Sequence, residues 1–366
     1  MNRNIVMDAV RGLAVLGLLS MNLIHMANFE YGYVPDAPKN YLDPLFATVN
    51  TLFFDGRFRS LFAMLFGAAL LIQLKKYPNH NHVVVRLRWL MVIGILHGAL
   101  IWPGDILFSY ALSGFFVLHF VHNNISKLKR YATIFIVAPA LLLTLLNIIE
   151  PNTEINRQSP EFTAFLQQLP ENYWALLEMN ALYFIIMSLL IPFITLWNTA
   201  GLMLLGMIIY RRGWLSLERQ EPIHKIMLFT ITALIVALLG FVIEKKVASD
   251  FFAGLNWLCA VPVSLFYLVI IKSLIRAGIS KLQGLQKVGR MALTWYLLHS
   301  IVFVSFFMFI QPEAVSHYNR IDYFAIFVGA AIIQVLLSLA YFRVFQQGPF
   351  EYLLQKAIIK SAKTND

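Results

Sequence analysis

His97 and Asp105 are the pair whose types and spacing first suggest chemistry. They bracket the run His97-Gly98-Ala99-Leu100-Ile101-Trp102-Pro103-Gly104-Asp105. One apolar segment ends there and the next begins after two or three residues, so the two side chains are expected to face each other across a tight outer turn. A carboxylate beside an imidazole favours the charged ring and fixes its tautomer, which suits a general base. A second constellation opens the chain, where Asp8-Ala9-Val10-Arg11-Gly12 sets Asp8 and Arg11 one turn apart on one helix face. Asn22 and His25 follow toward the far end of the same segment, and Asn22 is equally suited to bonding a neighbouring helix. His299 lies about two turns inside a later apolar run. Arg57, beside Asp55, is placed to bind an anion or to pair with that carboxylate.

The elements that must position these groups are membrane helices. Of 366 residues, 59% are hydrophobic and 13% charged, against about 25% charged in a soluble domain. So little charge cannot cover the surface of a soluble fold this size. In lipid every backbone polar group needs an internal partner, which leaves helices or a closed barrel. Barrel strands alternate apolar and polar residues, whereas Ile134–Ile149, Ile226–Val242 and Ile321–Tyr341 are continuous apolar runs.

Ten spans are expected: Val10–Ala27, Phe58–Leu74, Val83–Trp102, Ile106–Val121, Tyr131–Ile149, Met179–Tyr210, Ile226–Val242, Phe251–Ile275, Met291–Ile310 and Ile321–Phe342. Met179–Tyr210 is too long for one straight crossing and contains Pro192, so it reads as one kinked or tilted helix. Of the 29 Lys and Arg residues, 22 then fall on the side of the N-terminus. That asymmetry puts both termini in the cytoplasm. The fold class expected is an all-α, polytopic transmembrane bundle of about ten helices, one integral membrane domain over 1–366 with an uncleaved first helix.

The formal charge of +10 does not by itself call for nucleic acid, because in a membrane protein the distribution of charge over the loops matters more. The single cysteine, Cys259, precludes an intramolecular disulfide. No zinc-ligand spacing, Walker loop or dinucleotide fingerprint occurs, and no metal is expected. No internal repeat is visible, which speaks against an inverted-repeat transporter.

Asp8–Asn22, Phe58–Gly67, His97–Leu112, Gly289–Leu298 and Gln347–Leu353 together resemble, in order and over nearly the whole chain, the YeiB family of bacterial inner-membrane proteins. That family looks related to transmembrane acyltransferases such as heparan-α-glucosaminide N-acetyltransferase and the O-antigen acetyltransferases. The shared feature is a first helix reading Asp-x-x-Arg-Gly with a key polar residue 14 positions after the Asp, here Asn22. The O-antigen enzymes carry a catalytic histidine at that position. The glucosaminide enzyme keeps Asn there and uses a later histidine.

The resemblance implies a multi-pass protein of the bacterial inner membrane that moves an acyl group from cytoplasmic acyl-CoA or acetyl-CoA to an acceptor hydroxyl or amine on an envelope glycan or lipid. On that reading Arg11, Arg290 and Arg343 clamp the CoA phosphates, and His97 is the base with Asp105 orienting it. Asn22 would donate to the developing oxyanion. His25 lies outside the matching stretches, the family commonly shows Gln in place of His299, and Glu351 is a further polar candidate within the last stretch. Partners implied are the lipid bilayer, the acceptor and a second copy of the chain, with no nucleic acid. The same polar groups also fit a transporter or lipid-handling protein without acyl-transfer chemistry, with Asp8–Arg11 and His299 as its substrate or proton sites.

Overall fold

The computed structural model describes residues 4–37, 40–77, 80–149, 155–247, 251–279 and 282–363. No strand occurs among them. The helices of the first half are α1 (Ile5–Ala27), α2 (Asp43–Phe53), α3 (Arg57–Lys76), α4 (Asn81–Leu100), α5 (Leu107–Val117, prolonged by a 3-10 turn at Leu118–Phe120), α6 (Ile125–Ile149), α7 (Pro160–Leu166) and α8 (Tyr173–Leu190). The second half contains α9 (Thr195–Arg211), α10 (Ile223–Val247), α11 (Phe252–Arg276) and α12 (Gln283–Arg290). It ends with α13 (Ala292–Ser305, prolonged by a π turn at Phe306–Ile310), α14 (Ala314–His317), α15 (Arg320–Tyr341) and α16 (Pro349–Lys363). Nine helical stretches among the described residues are long and apolar enough to cross a membrane, and Leu107–Phe120 is a shorter apolar helix. Each of the ten expected spans is thus met by helix.

Burial separates the centre of the bundle from its rim. In α1 67% of the apolar window is buried, and in α15 only 17%. The core is built from α1, α3, α4, α5 and α9, around Leu61, Met64, Leu87, Tyr110 and Met203. Leucines and isoleucines of α6, α8, α10 and α15 are exposed instead, Leu145, Leu189, Leu239 and Leu336 among them. An all-round apolar exterior of this kind matches lipid and not water as the surrounding medium.

Close backbone approaches hold the centre together. A Cβ on Gly12 would lie 2.0 Å from the Leu285 carbonyl oxygen, and one on Gly289 would lie 1.9 Å from that of Asp8. The glycine that ends Asp-x-x-Arg-Gly therefore lets α12 pack directly on α1. The same device joins α3 to α9 through Gly67 and Gly206. Without a hydrophobic drive between helices in lipid, such small-residue contacts carry much of the association. Asn4 starts α1 by accepting from Met7 N at 3.0 Å, and its amide donates to Leu215 O at 3.1 Å. Outside the spans, burial and the Asp43 carboxylate that accepts from its hydroxyl push the Tyr33 phenol above its ordinary range.

Two expectations need correction. Met179–Tyr210 is not one kinked helix: the chain turns at 191–194, where Pro192 supplies no N–H, and restarts with Leu196 N bonded to Ile191 O. The α8–α9 pair still passes the bundle once. Tyr173 of α8 donates to Leu100 O at the end of α4, and Arg211 of α9 donates to the carbonyls of Val121 and Asn123 beyond α5.

The α4–α5 connection is also longer and deeper than a two- or three-residue outer turn. It runs over 101–106, and the 14 residues of Leu107–Phe120 span only about 21 Å of an apolar layer roughly 30 Å thick. The turn is roofed by protein. Trp102 is 4% exposed and meets the edge of Phe29, and Asn180 of α8 donates to Ile101 O at 2.8 Å.

Candidate functional site

The buried turn is shaped by its own residues. Ile101 N and Trp102 N both bond to the carbonyl of His97, which closes α4, and Pro103 stops it from continuing. Asp105 then starts α5, its Oδ2 accepting from Phe108 N at 2.7 Å. Gly94 makes room for this start, since a Cβ there would fall 2.3 Å from Phe108 N. Gly98 makes room for the ring of Phe184 in the same way.

The result is the expected dyad, with a third member. His97 Nδ1 lies 2.9 Å from Asp105 Oδ1, with the two side chains 2% and 0% exposed. A carboxylate accepts only, so Nδ1 carries the proton, and the Nε2 lone pair is the free basic position. Nε2 is buried and has no hydrogen-bond partner. Asp105 Oδ1 also accepts from the Tyr296 hydroxyl at 3.0 Å, and that hydroxyl accepts from Ile106 N at 3.0 Å. The rings of His97 and Tyr296 have centroids 5.1 Å apart.

Tyr296 also faces a cavity within the bundle. Ile106 and Leu107 line the same end, and Arg11, Arg86, Arg290 and Glu351 line the end beside the start of α1. Arg86 and His97 are eleven residues apart on α4, about 16 Å along its axis.

The three arginines are held differently. Arg11 sits 3.6 Å from Asp8 Oδ1. Arg290 lies over the Phe342 ring at 4.0 Å and donates to Gln346 O. Arg86 lies 5.5 Å over Phe66, and its Nη1 is buried with no hydrogen-bond partner. Glu351 accepts from Leu293 N at 2.7 Å, Thr294 N at 3.2 Å and the Thr294 hydroxyl at 2.6 Å. It is thereby committed to the start of α13, where a carboxylate is favoured.

The remaining sequence candidates lie elsewhere. Asn22 is half-buried on α1 and does not line this cavity. His25 borders a different cavity. Arg343 is exposed and lies outside the arginine-lined space. His299 is buried against Gln334 of α15. Arg57 is fully buried and binds Leu52 O, Asp55 O and Asn256 Oδ1, while Asn256 Nδ2 reaches Asp55 Oδ2 at 2.9 Å. Its link to Asp55 is thus made through Asn256 and the main chain, joining α3 to α11.

Two residues escaped sequence reasoning. Tyr296 stood inside the Gly289–Leu298 stretch without separate notice. Arg86 was one of many cations near a helix start, and its only signal was a place one turn inside.

Residues 209–361 match the family described as "Protein of unknown function (DUF418)". Over 99% of its length the chain is 28% identical to "Uncharacterized protein YeiB" of Escherichia coli (strain K12), covering 98% of that protein. The YeiB-family resemblance holds. "Uncharacterized protein YxaH" of Bacillus subtilis (strain 168) is 24% identical over 96% of this chain and 93% of its own. No solved structure matches. The matched family region holds Arg290, Tyr296 and Glu351, and the full-length relatives extend over His97, Asp105 and Arg11 as well.

Proposed function

We propose that this YeiB relative is a transmembrane acyltransferase of the bacterial inner membrane, moving an acyl group from cytoplasmic acyl-CoA to an acceptor hydroxyl or amine at the outer face. The observation that carries the reading is one cavity with arginines at one end and, at the other, Tyr296 bonded to the buried Asp105–His97 dyad. The concentration of 22 of 29 Lys and Arg residues on the side of the N-terminus supports a cytoplasmic mouth for it.

In this reading the arginines bind the phosphates of CoA by charge-assisted bonds. The acyl thioester then points toward Tyr296. His97 Nε2 accepts the proton of the acceptor hydroxyl or amine as its oxygen or nitrogen bonds to the acyl carbon. The carbon–sulfur bond breaks, and the leaving thiolate takes the proton from His97. Asp105 holds the ring in its Nδ1–H tautomer and stabilises the imidazolium formed between these steps. Burial makes that support stronger than it would be in water.

Binding of acetyl-CoA and longer acyl-CoA to the purified protein tests the proposal. Arg86→Ala is expected to weaken binding, and His97→Ala to abolish transfer while leaving binding in place. Absence of binding at millimolar acyl-CoA, by calorimetry and by thermal shift, would refute it.

A further inference from the structure

A second, smaller cavity lies on the other side of the turn at 101–106. Trp102 lines it, whereas Ile106 of the same turn lines the arginine cavity. The turn that carries the dyad therefore separates two spaces.

The chemistry of the second space is opposite to that of the first. Three rings meet in it: Phe29 packs edge-on to Trp102 with centroids 6.4 Å apart, and against Tyr183 at 5.2 Å. The Tyr183 hydroxyl donates to Glu30 Oε2 at 2.5 Å, and Glu30 is exposed at the rim. Among the described residues no Lys or Arg lines the cavity and Glu30 is its one formal charge, with His25 beside it.

Deeper in, Asn28 is 1% exposed. Its Oδ1 accepts from Tyr31 N at 3.0 Å, which identifies Nδ2 as the amide donor, and Nδ2 is buried with no hydrogen-bond partner. An aromatic cluster with a carboxylate at its edge attracts a cation through ring faces and charge together. An unpaired amide donor in the wall asks for an oxygen acceptor.

We infer that this cavity binds a ligand bearing an ammonium group with an oxygen close by, that is, an amino alcohol or its ester. The inference rests on the proposed function only for the role of this ligand, which would be the acyl acceptor. The binding site itself stands on the cavity's own residues.

Saturation-transfer NMR on the full chain in a neutral detergent provides the test, with ethanolamine as probe and ethylene glycol as its uncharged counterpart. Ethanolamine should give a signal that choline competes away, and glycol none. Glu30→Gln should abolish the ethanolamine signal and Asn28→Ala should reduce it, with thermal unfolding of each variant confirming a folded protein. Tyr183→Phe, which removes only the hydroxyl held by Glu30, should keep a weakened signal and serves if the other variants fail to fold. Equal signals from ethanolamine and glycol, or an ethanolamine signal indifferent to both Glu30→Gln and Tyr183→Phe, would overturn the inference. Ethanolamine binding without any acyl-CoA binding would uphold the site and sink the acyltransferase reading instead.

Discussion

Replacing Tyr296 with Phe removes one hydroxyl and leaves the ring in place. That hydroxyl makes two bonds of 3.0 Å, donating to Asp105 Oδ1 and accepting from Ile106 N. Losing a bond to a charged group costs about 1.5–3 kcal/mol, and orphaning a buried N–H costs about 1–3 kcal/mol. The variant should therefore lose roughly 2.5–6 kcal/mol of stability. In the proposed mechanism part of this bears on chemistry as well, because Asp105 would stabilise a His97 imidazolium with one donor fewer to fix its position. A loss of ~1.5–3 kcal/mol in the transition state lowers transfer about tenfold to a hundredfold. Acyl-CoA affinity should change little, since the arginines lie at the other end of the cavity. Thermal unfolding in detergent measures the first effect, steady-state transfer the second and calorimetry the third. Unchanged melting and unchanged transfer would refute the network. A lower melting temperature with unchanged transfer would reduce it to a brace and detach the dyad from catalysis.

Two further substitutions separate packing from chemistry. Gly289→Ala places a Cβ 1.9 Å from Asp8 O, so α1 and α12 must part. The overpacking should cost at least ~1–3 kcal/mol, and acyl-CoA binding should weaken because Arg11 and Arg290 flank this contact; melting and binding unchanged from the parent would show the contact is not tight. Lys272→Met acts at a distance from the cavity. Lys272 is fully buried, bonding Trp214 O, Arg219 O and Glu221 Oε2, with Arg276 3.7 Å from the same carboxyl group. Breaking such a cluster from one side costs about 3–5 kcal/mol, so the melting temperature should fall while acyl-CoA affinity of the folded protein stays the same. A change in affinity would show that the cluster reaches the cavity.

Much of the fold was legible because apolar runs in lipid have little choice but to be helical. The same reasoning failed at Pro192, where the physical rule says that a helix is disturbed but not whether it bends or restarts. It also failed at the α4–α5 connection, because hydropathy counts apolar residues and does not distinguish lipid from protein as their surroundings. Leu107–Phe120 is apolar and short, and its turn is buried by Trp102, Phe29 and Asn180. The His97–Asp105 pair was readable because both members lie in one local stretch. Tyr296 was not, since its contact with Asp105 joins residues 191 positions apart. Arg343 and Arg86 could not be ranked by sequence, as both count as cations near a helix end. Only packing places one in the cavity and the other in the open.

Most charged groups lining the cavity already have partners within the protein. Arg11 is matched by Asp8, and Arg290 by the Phe342 face and the Gln346 carbonyl. Glu351, the one carboxylate in the lining among the described residues, is engaged at the start of α13. That leaves Arg86, with its buried Nη1, as the cation most dependent on an anion from outside. Arg86 and His97 ride on the same helix, so the separation between the proposed anion site and the proposed base is set by α4 itself at about 16 Å. A substrate that satisfies both must be elongated, with its negative charge at one end and its reactive carbon at the other. A compact anion such as inorganic phosphate could reach Arg86 but not His97. It should therefore compete with acyl-CoA for binding without being turned over.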